Sequence, residues 1–221
     1  MNYYSDEEAR SLICEYGKIV YQRGMVAGNE GNISCRTGLN EVWVTPTGES
    51  KGTLTEEMLI KTDLEGNVMI EGTKSPSSEA KLHYGVFKEN EKIKAVFHTH
   101  APFATAYACS SKQPNTRMLP EMLGLFGTEI QTAKYGKPGT DELPDSVRPY
   151  VNRNHVVLLQ NHGALSWGDN IKQAYYYMEF LESCCKTSAI ANFVIGDAND
   201  IPDEESIEEV LGDFKRDLNI E

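Results

Sequence analysis

The sequence predicts an α/β fold of three layers, a mostly antiparallel central sheet with helices on both faces. Three observations carry this expectation. Short strand and helix patterns alternate irregularly along the 221 residues. Pairs of strand-like runs are separated by only a few turn residues, as in hairpins. The run at 93–98 is apolar up to its end, the mark of a buried strand. No repeat, low-complexity stretch or linker divides the pattern, so residues 1–221 read as one domain covered by helices on both sides of its sheet.

The elements follow in order. Ser5 and Glu8 form a capping-box pattern ahead of Leu12, Ile13, Tyr16, Ile19 and Val20, which recur at helical spacing and predict a helix over 5–23. Gly24 is placed to end it. After the glycine-punctuated loop 28–32, strands are expected at 33–36 and 41–45 around a turn at 37–40. A short helix at 54–59 precedes a second hairpin, 60–63 with 68–70. A helix over 77–90 begins with two hydroxyl residues and a carboxylate. The buried strand 93–98 is followed by helices at 103–109 and 120–126, a strand at 129–133 and a helix at 140–152. Strands at 156–160 and 164–167 flank Asn161-His162-Gly163, and helices over 170–194 and 204–218 complete the chain.

Composition narrows the function. The formal net charge of −12 disfavours nucleic acid and anionic membrane surfaces, which select basic proteins. No apolar run of 18 residues predicts a membrane span. The opening Met1–Asp6 lacks the basic and apolar regions of a signal peptide, and a cytoplasmic chain is expected. Five cysteines without CxxC spacing argue against a disulfide framework and for a reducing compartment. The neighbours Cys184 and Cys185 read as helix packing.

His98 and His100 stand two residues apart at the end of the buried strand. Period two places both on one face of the sheet and Thr99 on the other. His162 ends a second apolar run, before Gly163, where glycine permits a tight turn and close backbone approach. Three neutral imidazoles leave a divalent ion with open positions, the pattern of a catalytic site. Glu79 and His83, four apart on a helix, could also bind metal; His83 is expected instead to pack beneath the site and bond Glu79 or backbone. His155 is expected at the surface or a strand edge.

An acidic chain that binds an anion needs a locally positive site. Pro76-Ser77-Ser78-Glu79 offers hydroxyls and N–H groups at a helix start, Gly31-Asn32 bare backbone and an amide, and Thr45-Pro46-Thr47-Gly48 a hydroxyl and a flexible N–H. No Walker loop and no GxGxxG before a helix occurs, so a monophosphate fits better than a nucleotide.

Together, Gly31-Asn32-Ile33-Ser34, Thr45-Pro46-Thr47-Gly48, Pro76-Ser77-Ser78-Glu79, His98-Thr99-His100 and Gln160-Asn161-His162-Gly163 resemble the class II aldolase/adducin family, most closely its fuculose phosphate aldolase branch. The resemblance runs from the first helix to the last. It implies a Zn2+ site formed by His98, His100 and His162, with Glu79 as a fourth ligand that swings away to act as catalytic acid and base. It implies a substrate phosphate site at Gly31, Asn32, Thr47, Gly48, Ser77 and Ser78, and a homotetramer with active sites between subunits. The reaction it implies is cleavage of a ketose 1-phosphate to dihydroxyacetone phosphate and an aldehyde such as lactaldehyde. Pentulose-phosphate 4-epimerase, methylthioribulose-1-phosphate dehydratase and a non-catalytic adducin-like module are the alternatives. The epimerase carries aspartate where this chain has Glu79, which favours the aldolase; the intact histidines and Glu79 argue against the adducin-like module. Asn29 departs from the branch's threonine, and Pro120 and Asp217 stand where that branch has tyrosines.

Overall fold

The hydrogen-bonded pairing of eight strands organises the molecule. In the computed structural model, which describes residues 3–217, β1 (Asn32–Gly38), β2 (Glu41–Val44), β3 (Ile60–Thr62), β4 (Val68–Ile70), β5 (Ala95–Thr99), β6 (Thr132–Ala133), β7 (Val156–Leu159) and β8 (Gly163–Gly168) form one sheet in the order β4-β3-β2-β1-β5-β8-β7-β6. Every pairing is antiparallel except that of β6 with β7. The expected three-layer α/β fold is the observed one.

Among the described residues seven α-helices cover the two faces: α1 (Asp6–Gln22), α2 (Ala80–Glu89), α3 (Pro102–Ala108), α4 (Pro120–Phe126), α5 (Glu142–Val147), α6 (Ile171–Ala189) and α7 (Glu204–Asp217). Alternation along the strands splits the core in two. Ile33, Cys35, Phe97 and Leu158 pack with Ile13 and Val20 of α1 and Met178 and Leu181 of α6. On the other face Val42, Val96, Val157 and Leu165 meet Leu82 and Phe87 of α2 and Leu143 of α5. Both faces of β5 and β7 are therefore buried, which is why they read as continuous apolar runs. Cys184 and Cys185 lie in the α6 core, as expected.

The capping box at Ser5 and Glu8 is present, and Gly24 takes the left-handed conformation just past α1, with φ 69°. Several expected elements are shorter. The helix expected at 54–59 is a single 3-10 turn, Glu56–Met58, too short to bury an apolar face. That at 140–152 stops at Val147 and tightens into a 3-10 turn containing Pro149, whose missing N–H cannot continue the ladder. The strand at 129–133 pairs only over Thr132–Ala133. The helix at 170–194 ends at Ala189 in a π turn closed by Gly196 at φ 81°. The last helix is described to Asp217; Leu218 lies outside the described residues.

One strand–helix contact sets up the site. On the α2 face of β1, Asn32, Ser34 and Arg36 recur every second residue; along α2, Glu79, His83 and Phe87 recur every fourth. Asn32 Nδ2 donates to Glu79 Oε2 at 3.0 Å, Ser34 Oγ lies 2.6 Å from His83 Nδ1, and Arg36 Nη2 donates to the Phe87 carbonyl at 2.6 Å. Two strand residues rise about 6.6 Å and four helical residues about 6 Å, so the two periods match. Arg36 also reaches the Glu91 carbonyl at 3.1 Å, placing a cation at the C-terminal end of α2, where helix carbonyls lack partners. The opposite end of α2 is thereby aimed at the end of the sheet where β5 finishes and β8 begins.

Candidate metal centre

Three segments converge at that end: the start of β1, the end of β5 and the β7–β8 turn. His98 pairs in register with Asn32 on one side and Leu165 on the other. Its side chain and that of His100 share the α2 face, while Thr99 turns to α6 and reaches Met178 Sδ at 3.1 Å. The turn that delivers His162 contains Asn161 at φ 55°, the one non-glycine with positive φ among the described residues. Asparagine tolerates that region better than most side chains. Gly163 follows with no room for a side chain. A Cβ there would lie 2.5 Å from the Thr99 carbonyl oxygen and 2.8 Å from His100 Cδ2.

The three imidazoles form a triangle, with ring centroids 4.7 Å (His98–His162), 4.9 Å (His98–His100) and 5.1 Å (His100–His162) apart. One nitrogen from each falls within 4.8 Å of the others. Glu79 joins them, Oε1 3.0 Å from His162 Nε2 and Oε2 3.5 Å from His98 Nε2.

The donor set fits a cation. His98 Nδ1 lies 2.9 Å from the Ala164 carbonyl, which can only accept, so that nitrogen carries the proton. Burial, opposed by Glu79, pushes the His98 pKa down to about 3, so the ring is neutral and Nε2 is bare. His100 Nδ1 faces Glu30 Oε1 at 3.4 Å, so its outer nitrogen is turned to a carboxylate and its Nε2 toward the centre. The two Nε2 atoms point at each other across 3.1 Å. Both outer nitrogens are turned to oxygen atoms, and a hydrogen bond from the outer nitrogen is how proteins orient imidazole ligands toward a cation. Burial favours protonated Glu79, but hydrogen bonds from His162 and Asn32 and the neighbouring histidines outweigh it and hold the carboxyl at about 2.

His83 does not reach Glu79. It pairs with Ser34, and burial drives its pKa down to about 3. His155 stacks on Tyr177 at 4.4 Å, partly buried at the far end of the sheet. A cavity of about 360 Å³ opens at that far end beside His155, Trp167 and Asp169, and no candidate site residue lines it.

The segments read as an anion cradle do come together. Pro46 and Pro76 form an antiparallel bridge, Thr47 N–H donates to the Ser75 carbonyl at 3.0 Å, and Ser77 N–H to the Thr45 carbonyl at 3.2 Å. Gly31 and Gly48 adopt φ 71° and 76°, and a Cβ on Gly139 would lie 3.8 Å from Ser78 Cβ. Two expected donors are engaged elsewhere, Ser77 N–H as above and the Asn32 amide on Glu79, while Ser77 Oγ accepts from Glu79 N–H at 3.3 Å and keeps its own proton to donate. The reason is that α2 begins at Ala80 rather than Ser77, so the serines form the turn before the helix. Ser78 and the Gly48 N–H have no hydrogen-bond partner among the described residues. Two residues near the site carried no sequence signal, Glu30 beside His100 and Lys51 beneath the loops; neither belongs to a motif or a ligand spacing.

Comparison with known proteins places this geometry. The chain belongs to the class II aldolase/adducin family: the family model for the class II aldolase and adducin N-terminal domain matches residues 11–189. It is 33% identical over 175 residues to an L-fuculose phosphate aldolase of Methanococcus maripaludis, covering 79% of this chain and 93% of that protein. It is 32% identical over 185 residues to a 3-oxo-tetronate 4-phosphate decarboxylase of Haemophilus influenzae, covering 82% and 87%. A solved L-fuculose 1-phosphate aldolase superposes with a TM-score of 0.83 at 28% identity, over 97% of this chain and 99% of that one. Among the described residues no helix is long and apolar enough to cross a membrane.

Proposed function

We propose that the chain is a zinc-dependent aldolase that cleaves a ketose 1-phosphate, L-fuculose 1-phosphate or a related deoxyketose 1-phosphate, to dihydroxyacetone phosphate and a short aldehyde such as lactaldehyde. The observation that carries this reading is the meeting of three imidazoles and the Glu79 carboxylate at one point, with one nitrogen of each imidazole within 4.8 Å of the others.

His98, His100 and His162 would hold the ion, with Glu79 as the displaceable fourth group. A divalent ion there supplies Lewis-acid stabilisation of the negative charge that develops on the substrate oxygens as the carbon–carbon bond breaks. The remaining work falls to side chains. Gly31, Asn32, Thr47, Gly48, Ser77 and Ser78 form the phosphate pocket and fix the substrate's position. Glu79, once it turns from His162 and Asn32, loses the donors that depress its pKa. Burial then raises its proton affinity, so the carboxylate can take up the proton that the substrate hydroxyl releases as it becomes the aldehyde carbonyl, and return it to the carbon left by the departing aldehyde.

A second reading is favoured by the decarboxylase relative. A 3-oxo acid phosphate that loses carbon dioxide next to its ketone leaves the same enediolate as the aldol cleavage, so the same four side chains serve either leaving group. We further propose a homotetramer; exposed Val68, Met69 and Ile70 on the β4 edge and Phe193, Val194 and Ile195 after α6 supply apolar surface for such contacts.

The test is a panel of ketose 1-phosphates and 3-oxo acid phosphates, assayed for dihydroxyacetone phosphate, aldehyde and carbon dioxide, with and without a chelator. Chelator-sensitive release of dihydroxyacetone phosphate with aldehyde is expected. Release with carbon dioxide alone selects the second reading, and turnover indifferent to metal removal refutes both.

A further inference from the structure

The phosphate loops carry a cation that the reaction scheme has not used. Lys51 is 1% exposed. Its Nζ donates to the Asn29 carbonyl at 3.3 Å and the Glu49 carbonyl at 2.5 Å, and its third N–H has no acceptor among the described residues. No carboxylate lies within ion-pairing distance of it there; the nearest in sequence, Glu49, pairs with Lys74. Burial of this ammonium lowers its pKa to about 8, opposed by the more distant charges of Glu49 and Glu79. A buried cation without a counter-ion is costly, and an arriving anion would offset that cost.

Its backbone is also fixed. A side chain at Gly17 of α1 would meet the Lys51 carbonyl at 2.9 Å, and Gly52 packs beneath the Tyr21 ring, where a Cβ would lie 2.5 Å from it. The lysine therefore stays behind the loops while Glu30, Glu49 and Glu79 place negative charge around them. In a chain of net charge −12, a phosphate dianion entering that neighbourhood meets repulsion that neutral N–H groups offset only in part.

We propose that Lys51 is a specificity-determining residue: it ties the Asn29–Asn32 and Thr45–Glu49 loops into one cradle and makes that cradle select a phosphate dianion over an uncharged group. This rests on the phosphate pocket proposed above. A lysine that acted only as a tether would tolerate a neutral donor in its place, and that difference is measurable.

Inorganic phosphate is titrated calorimetrically into the zinc-loaded full-length chain as wild type, Lys51→Gln and Lys51→Met, with zinc content and thermal melting followed in parallel. Glutamine keeps a donor for the two carbonyls without the charge and serves alone if the methionine variant does not fold. Phosphate affinity is expected to fall about tenfold or more, KM for the phosphorylated substrate to rise by a similar factor, and kcat and zinc content to stay within about twofold. Wild-type phosphate affinity in Lys51→Gln overturns the assignment of Lys51 and leaves the pocket standing. A wild-type chain that binds no phosphate overturns both.

Discussion

Replacing Gly163 by alanine tests the centre without replacing any proposed ligand. The new Cβ would sit 2.5 Å from the Thr99 carbonyl oxygen, 2.8 Å from His100 Cδ2 and 3.3 Å from His98 Cε1. Contacts below 3.0 Å do not persist, so β8 must retreat from β5 by at least about half an ångström at the Thr99–Ala164 pair. The next pair in the ladder is His98–Leu165, so the displacement reaches the first imidazole directly. Metal–ligand distances tolerate only about 0.2 Å. Overpacking of this kind destabilises by about 1–3 kcal/mol. If a comparable strain falls on the bound state, zinc affinity drops about 10- to 100-fold. Chelator competition with the purified chain measures the affinity, and urea unfolding of the metal-free protein measures the strain. Wild-type values in both would show that the close packing of Gly163 on the two imidazoles does not position them, and the geometric argument for the centre would fail.

Two further outcomes follow from the same geometry. Glu79→Gln should keep phosphate binding while turnover falls about 10²- to 10⁴-fold, the range for loss of a general acid–base group; unchanged turnover removes Glu79 from the chemistry. Metal-free protein should lose stability as the pH falls from about 6.5 toward 3. His83 and His98 stay neutral in the fold, each pushed down to about 3, while unfolded histidines take protons near 6.5. The unfolded chain then binds more protons, and each histidine steepens the loss by up to about 1.4 kcal/mol per pH unit. Glu79, held at about 2, adds a loss of the same sign below about 4.5. Urea midpoints of metal-stripped protein that stay flat between pH 7 and 4.5 would contradict this.

Much of the centre was legible because two kinds of local rule agree there. Period two put His98 and His100 on one face whatever lay across from them, and the apolar run before them identified a strand buried on both sides. Glu79 stood out through the serines before it. What could not be read depended on partners far along the chain. The first turn of α2 begins three residues late because Ser77 N–H bonds to Thr45, a contact across 32 positions. Asn32 was read as a free amide, and its partner Glu79 lies 47 residues away. His83 is expected from helical spacing to bond Glu79 or backbone, yet its partner is Ser34 on the facing strand. Lys51 belongs to no motif or spacing in the sequence, and its burial follows from packing that includes α1 against its backbone.

The matched spacing of β1 and α2 bears on how Glu79 can move. The helix below it is latched at Ser34 and again by Arg36, so a swing of the whole segment would break two buried contacts at once. Only the carboxylate arm, turning about its own side-chain bonds, is free to leave the imidazoles. Such rotations are intrinsically far faster than a catalytic cycle. The acid–base group can thus change place within each turnover while its anchorage stays still.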